Sequence, residues 1–354
     1  MDKEKMNDVI KSGIFGLVVA DALGVPYEFH DRNWCEENLM TDMIGYGTYN
    51  QPPGTWSDDS SLALASLYGL SNFLEFDEEK RDDELILNNF SSIIDYEGIM
   101  ENFIKWYANG DFSPYGEVFD IGTTTINSFI NYQSGNVSAI EAGGSSEGSN
   151  GNGSIMRILP IAFVIYFLSK KYSFSDDEKM KAIHNLSSLT HGHKRAQMGC
   201  GIYVTIAIEL IGAYFGESDL SLEEIVNNGI TKAKEYYFNN DIFKHQLEHY
   251  NRVFSLDIHK LQKDEINSGG YVVSTLEASI WCLLNNDNYK DTALAAVNLG
   301  NDTDTTACVV GGLAGIYYGY DDIPTHWLDQ IAKFDFIEDL IDKFEKNLYE
   351  IIGD

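Results

Sequence analysis

Only six prolines interrupt 354 residues whose apolar side chains recur at helical spacing. That periodicity limits the chain to an all-α fold, since strand-like alternation is scarce. In "GTWSDDSSLALASLYGL" at 54–70 and just beyond it, Ala63, Leu67, Leu70 and Leu74 fall three or four residues apart. Comparable runs near 8–23, 99–108, 155–169, 196–215, 271–285, 291–299 and 304–319 are expected to be core helices. Polar, glycine-rich loops lie between them, "IGYGTYNQPPGT" at 44–55 and "EAGGSSEGSNGNGS" at 141–154. The second runs into "IMRILPIAFVIYFL" without a break in charge or composition, so residues 1–354 are expected to form a single domain. Residues 235–268 are aromatic, charged and weakly periodic, and are expected to be an insertion with a short helical excursion. No fixed-period repeat runs along the chain.

Small residues form stripes on two of these helices. Gly13, Gly16, Ala20 and Gly24 share one face, and Ala307, Gly311 and Gly315 line up at i, i+4, i+8. Each glycine inside a helix costs about 1 kcal/mol relative to alanine. Clustering it makes sense where two backbones approach closely. Both stripes adjoin acidic segments, so a tight central helix group with acids at its mouth is expected.

Lys plus Arg total 24 against 55 Asp plus Glu, a formal charge of −31. A surface this acidic repels phosphate backbones and anionic membranes, so neither nucleic acid nor a membrane is an expected partner. An anionic small substrate would need something local and positive, which points toward a metal. Cys35, Cys200, Cys282 and Cys308 are far apart and read as reduced core residues of a cytoplasmic protein. Asp2, Glu4, Asp8 and Asp21 break the resemblance of the N-terminus to a signal peptide, and no stretch reaches the roughly 18–20 uncharged apolar residues of a span.

Ser57, Asp58 and Asp59 stand directly before an apolar run. Helix initiation alone accounts for that triplet, because serine caps well and aspartates complement the macrodipole. "NLGNDTDTTACVVGGLAG" at 298–315 repeats the grammar, with Asp302, Asp304 and Thr305 before another apolar run. Capping needs one acceptor or two, and carboxylates crowded beyond that repel one another unless a cation neutralises them. An all-oxygen set suits Mg²⁺ or Mn²⁺ rather than zinc. Glu28 in "DALGVPYEF" is another candidate carboxylate, although alone it reads as a solvated loop residue.

Gly-x-x-x-x-Asp-Ala-Leu-Gly at 16–24 with Glu28 after it, "WSDDS" at 56–60, "FDIGTTT" at 119–125, "GNGSIMRILP" at 151–160, "LTHGH" at 189–193, "GGYVVSTLEASIWCLL" at 269–284 and "NLGNDTDTTA" at 298–307 stand in that order. The set resembles the motifs of the ADP-ribosylglycohydrolase family, which includes the dinitrogenase reductase-activating glycohydrolases. The resemblance spans about residues 11–320. It implies a compact, orthogonal multi-helix bundle with a central metal cleft, two Mg²⁺ or Mn²⁺ ions, and hydrolysis of the bond between ADP-ribose and its acceptor. By motif match the metal ligands are Ser57, Asp58, Asp59, Asp302, Asp304 and Thr305. Ser57 stands where the family often has threonine, and Asn301 where it often has glycine.

The same resemblance puts Glu28 on a mobile loop near the metals and the scissile ribose, and makes Glu28, Asp59, Asp302 and Asp120 the catalytic acids. It implies ADP-ribose contacts from Ser149, Gly151, Asn152 and His191, while Tyr271 flanks the nucleotide or belongs to the core. Asp120 resembles the aspartate that members acting on ADP-ribosyl-arginine hold near the scissile group, where a carboxylate pairs with guanidinium. The competing reading of Asp120 is a cap for the helix that begins near Thr123. Arg157 is expected to be a structural ion-pairing residue.

The expected partner is an ADP-ribosylated protein, most readily one modified on arginine, or a small ADP-ribosyl substrate. Two alternatives share the fold. One is an inactive ADP-ribose-binding or crystallin-like relative, against which the intact acidic motifs weigh. The other is a toxin-immunity hydrolase that also binds its toxin, through residues 235–268.

Overall fold

Asp2 starts the first helix, its carboxylate accepting the backbone N–H groups of Glu4 and Lys5 at the head of α1 (Lys3–Gly24). The computed structural model describes residues 2–73 and 89–353, so Leu74 of the first periodic run lies outside the described residues. The expected runs appear as α2 (Asp58–Phe73), α3 (Tyr96–Asn109), α5 (Leu159–Leu168), α7 (Lys194–Tyr214), α9 (Val272–Leu284), α10 (Tyr289–Val297) and α11 (Thr303–Tyr318). Between and after them lie α4 (Thr123–Gln133), α6 (Asp176–Ser188), α8 (Leu222–Phe238) and α12 (Phe334–Ile352). Those four bury one stripe and carry polar outer faces, so they lack the long apolar runs of the others. No strand occurs among the described residues, where sheet-like pairing is limited to two isolated bridges, Gly144 with His191 and Gly151 with Tyr271. The fold is all-α.

The centre of the molecule is the pair α1 and α11. A Cβ added at Gly16 would lie 2.4 Å from the Gly311 carbonyl oxygen, and one at Gly315 would lie 2.1 Å from that of Ser12. Only glycine permits this approach, and it carries through to the ends of both helices. At Gly24 an added Cβ would meet the Asp304 Cα at 2.4 Å, so the end of α1 presses on the start of α11. Around this pair, α7, α9 and α10 pack against α11, while α2 and α12 pack beside α1. The Tyr289 hydroxyl donates to Gly16 O at 2.6 Å and the Tyr203 hydroxyl to Val309 O at 3.0 Å, satisfying buried carbonyls of the central helices.

The Lys3–Tyr27 and Lys194–Tyr214 stretches are long and apolar enough to cross a membrane by length and composition, and most of each is buried inside the helix pack. Their hydropathy is that of core helices packed on all sides. Residues 235–268 begin on the last turn of α8 and continue through short turns at Asp241–Tyr250, Asn251–Phe254, Ile258–Lys260 and Lys263–Glu265. The four cysteines are buried and free.

Arg157 corrects the sequence reading in one respect. Its fully buried guanidinium finds no carboxylate among the described residues: Nη2 donates to Leu186 O at 3.1 Å and Thr190 Oγ1 at 2.7 Å, and the group lies 4.8 Å from the Phe103 ring centroid. Burial lowers its pKa to about 10. It is structural, through carbonyls and an aromatic face rather than an ion pair.

The glycine contact makes a stability prediction. Gly16→Ala forces a methyl onto a backbone oxygen, so chemical denaturation is expected to show a loss of about 1–3 kcal/mol. Gly148→Ala, whose Cβ would meet its nearest neighbour at 3.8 Å, is expected to cost far less. Equal losses would contradict the close approach.

Candidate active site

Asp21, near the end of α1, organises the start of α2. Its carboxylate accepts Ser57 N at 3.1 Å and Ser60 N at 3.0 Å, and the Ser60 hydroxyl as well. With Asp21 capping the helix from outside and the Ser57 hydroxyl from within, the carboxylates of Asp58 and Asp59 are released from that task. The Ser57 hydroxyl accepts Asp59 N at 3.2 Å and donates to Asp59 Oδ2 at 3.0 Å. Across the cleft, Thr303 Oγ1 donates to Gly24 O at 2.8 Å and anchors the start of α11. Thr305 Oγ1 then reaches Asp59 Oδ2 at 3.3 Å. The two helix beginnings meet.

Two groups of acids form there, Asp21 with Asp59 and Asp304, and Glu28 with Asp302 and Asp304. Within each group the ligand-type atoms lie within 4.8 Å of one another. Asp58 belongs to neither group, but it is buried and senses the charges of Asp120, Asp59, Asp21 and Glu28. Glu28 Oε2, Asp59 Oδ1, Asp302 Oδ1 and Asp304 Oδ2 are buried without a hydrogen-bond partner. Orphaned anionic oxygens at this density are costly unless a cation or protons neutralise them. Burial, reinforced by mutual repulsion, drives the carboxyls of Asp58, Asp59 and Asp304 well up, and burial lifts Asp21 to about 6 against its hydrogen bonds from Ser60 and Ser57. Glu28 is raised to about 9 by burial and then by the charge of Asp120. The all-oxygen donor set and its unpartnered oxygens fit hard divalent cations.

Glu28 is held by its neighbours. Phe29 N donates to Asn301 O at 2.7 Å, Asn301 N to His30 O at 2.6 Å, and Thr48 Oγ1 to Glu28 O at 2.7 Å. The loop carrying Glu28 is thereby tied to the loop carrying Asp302. Asp120 stands beside Glu28 with a left-handed backbone, φ +49°. It does not cap α4, whose N-cap is Gly122. Its carboxyl, raised chiefly by burial, interacts with Tyr49, Glu28 and Asp304.

The other wall is the 141–154 loop. Gly143 N donates to Ser188 O, Gly144 N to Thr190 O, and Gly192 N to Gly144 O at 2.8 Å, fastening the loop to the end of α6 and the connection into α7. Asn152 N donates to Gly270 O and Val272 N to Asn150 O, both at 3.0 Å, fastening it to the start of α9. Asn152 Nδ2 then donates to Asp302 Oδ2 at 2.8 Å, the direct link between this loop and the acids. His191 is buried against the loop. A Cβ at Gly153 would lie 2.8 Å from its Cε1, so that glycine makes room for the imidazole as much as for any ligand. Burial lowers the His191 pKa to about 3, with the Arg157 charge adding to it, and Nδ1 pairs with Thr190 Oγ1 at 2.9 Å. Ser149 pairs with Ser146 at 3.0 Å through their hydroxyls. Tyr271 is 36% exposed, on the rim rather than in the core.

Sequence reasoning missed three participants. Asp21 lay inside the first motif but reads as one charge in an apolar helix. Arg195, buried beside Tyr271, holds Glu147 of the loop at 2.9 Å and Gln246 at 3.0 Å, yet nothing in "HGHKR" distinguishes it from Lys194. Tyr49, in hydrogen-bond contact with Glu28 and Asp120, sat in a stretch that shows only loop composition.

The raised carboxyls imply a pH dependence. In the unfolded chain Glu28 ionises near 4.5 and in the folded protein near 9. Between those values the folded state binds the extra proton, so stability falls as pH rises. Metal-free protein is expected to lose melting temperature from about pH 5 to pH 8, and Mg²⁺ or Mn²⁺ to restore it. Glu28→Gln flattens that slope. A metal-free slope unaltered by Glu28→Gln would contradict the assignment.

Comparison with known proteins bears on the family and the fold. The ADP-ribosylglycohydrolase family model matches residues 2–352. An ADP-ribosylarginine hydrolase, Tri1 of Serratia proteamaculans (strain 568), is 29% identical over 342 residues, covering 95% of this chain and 78% of that protein. The ADP-ribosyl-[dinitrogen reductase] glycohydrolase of Rhodospirillum rubrum is 25% identical, covering 94% of this chain and 92% of that one. A solved structure described as an ADP-ribosylglycohydrolase-related protein complex has the same fold, with a TM-score of 0.71 at 22% identity over 98% of this chain and 99% of that one. The chain belongs to the ADP-ribosylglycohydrolase family, a metal-dependent family of enzymes that hydrolyse glycosidic bonds.

Proposed function

We propose that this protein removes ADP-ribose from arginine side chains of modified proteins, with two Mg²⁺ or Mn²⁺ ions held by Ser57, Asp58, Asp59, Asp302, Asp304 and Thr305. The observation that carries the reading is the meeting of two helix starts with four buried carboxylate oxygens left unpartnered among them. Similarity to an ADP-ribosylarginine hydrolase supports arginine as the acceptor. Bound cations neutralise the crowded acids and add Lewis-acid stabilisation at the ribose.

The chain's own residues do the rest. Ser149, Gly151, Asn152, His191 and Tyr271 hold the ADP-ribose, and the neutral imidazole of His191 offers a hydrogen bond without adding charge. Asn152 transmits that position to Asp302 through its side-chain amide. Positive charge develops at the anomeric carbon as its bond to the guanidine nitrogen breaks, and Asp59 and Asp302 stabilise it. Water forms the new bond to that carbon. Glu28, which burial keeps protonated, gives its proton to the departing guanidine nitrogen and takes one back from the attacking water. Asp120 pairs with the guanidinium before cleavage.

Release of ADP-ribose from a protein ADP-ribosylated on arginine tests the reading. Turnover is expected with Mg²⁺ or Mn²⁺ and is expected to stop on chelation. Asp302→Asn is expected to lower the rate by about 10²–10³-fold while leaving the circular-dichroism spectrum intact. Full turnover in chelator, or an unimpaired variant, contradicts it.

A further inference from the structure

Three aromatic rings run along the mouth of the cleft on the side of Glu28 and Asp120. Phe29 is 69% exposed and follows Glu28 directly. Its ring centroid lies 6.2 Å from that of Tyr49, which lies 5.0 Å from that of Phe119, the residue preceding Asp120. The row therefore begins and ends on residues bonded in sequence to the two carboxylates. Tyr49, in the middle, reaches both acids with its hydroxyl.

The exposure of Phe29 is enforced. Its backbone adopts φ +67°, a region that a bulky residue rarely enters, and the Phe29 N to Asn301 O bond holds it there. Packing does not account for a large apolar ring kept in water by a strained backbone. Among the described residues, no lysine or arginine of this chain lies over Phe29, Tyr49 or Phe119. At the inner end of the row Glu28, 5% exposed, leaves Oε2 without a partner.

We infer that Phe29, Tyr49 and Phe119 form the acceptor subsite, a set of aromatic faces that receives a planar guanidinium and delivers it to the carboxylates of Asp120 and Glu28. The inference rests on the arginine reading given above and names the residues that select the acceptor. A guanidinium suits this arrangement better than an ammonium: it is planar, weakly hydrated, stacks on aromatic faces and still presents N–H groups to a carboxylate. The opposite wall, from Ser149 to Tyr271, takes the ADP-ribose, so the two halves of the substrate are recognised by separate sets of side chains.

The test separates those halves. For wild type, Phe29→Ala, Phe29→Tyr and Phe119→Leu, three quantities are measured on the metal-loaded full chain: KM for an ADP-ribosyl-arginine peptide, the inhibition constant of free ADP-ribose, and the affinity for agmatine by calorimetry. Phe29→Ala and Phe119→Leu are expected to raise KM and weaken agmatine about tenfold. ADP-ribose inhibition is expected to change less than about twofold, and Phe29→Tyr to behave as wild type. Unchanged KM and agmatine affinity, or an equal loss of ADP-ribose affinity, overturns the subsite. Wild-type protein that hydrolyses no arginine-linked substrate overturns the arginine reading instead. The aromatic subsite falls with it only if agmatine also fails to bind.

Discussion

Everything at the centre of this molecule follows from two helices packed closer than side chains allow. Gly16 against Gly311, and Gly315 against Ser12, bring α1 and α11 into backbone contact. Gly24 against Asp304 then fixes the end of one to the beginning of the other. The same contact sets Asp21, Glu28, Asp302 and Asp304 around one cleft, and α2 adds Asp58 and Asp59 because Asp21 caps it. Apolar packing elsewhere stabilises an arrangement whose acids, by themselves, would separate.

That division of labour explains the hydroxyls and amides in the cleft. Ser57, Ser60, Thr303 and Thr305 satisfy backbone groups and selected carboxylate oxygens, and they leave one oxygen on each of several acids free. A network that satisfied every oxygen would have no reason to take up a cation. Asn152 couples the 141–154 loop to Asp302, which ties that wall of the cleft to the acidic one. Arg195 does the same on the rim, where it holds Glu147 of the loop against Gln246 of the segment that follows α8.

The apolar helices were legible because burial on nearly all sides leaves long apolar runs, as in α1, α7 and α11. α6, α8 and α12 alternate one buried stripe with a charged outer face, so they contain no comparably long apolar run. The two acidic motifs were legible because Ser57-Asp58-Asp59 and Asp302-Thr303-Asp304-Thr305 hold more oxygen than capping uses. Contacts between elements distant in sequence were not legible. Asp21 reads as an ordinary break in a helix until its bonds to Ser57 and Ser60 are seen, and Tyr49 reads as loop until its hydroxyl is found between Glu28 and Asp120. Glycines 151 and 153 were legible as room for something, and that something includes the ring of His191.

The central claim is that the paired helix starts hold divalent cations. Crystals grown with Mn²⁺ and measured at the manganese absorption edge test it most directly. The account predicts two anomalous peaks about 3.5–4 Å apart between the beginnings of α2 and α11, and their loss in Asp304→Asn crystals. Anomalous density confined to exposed surface acids, with none between Asp59 and Asp304, would contradict it.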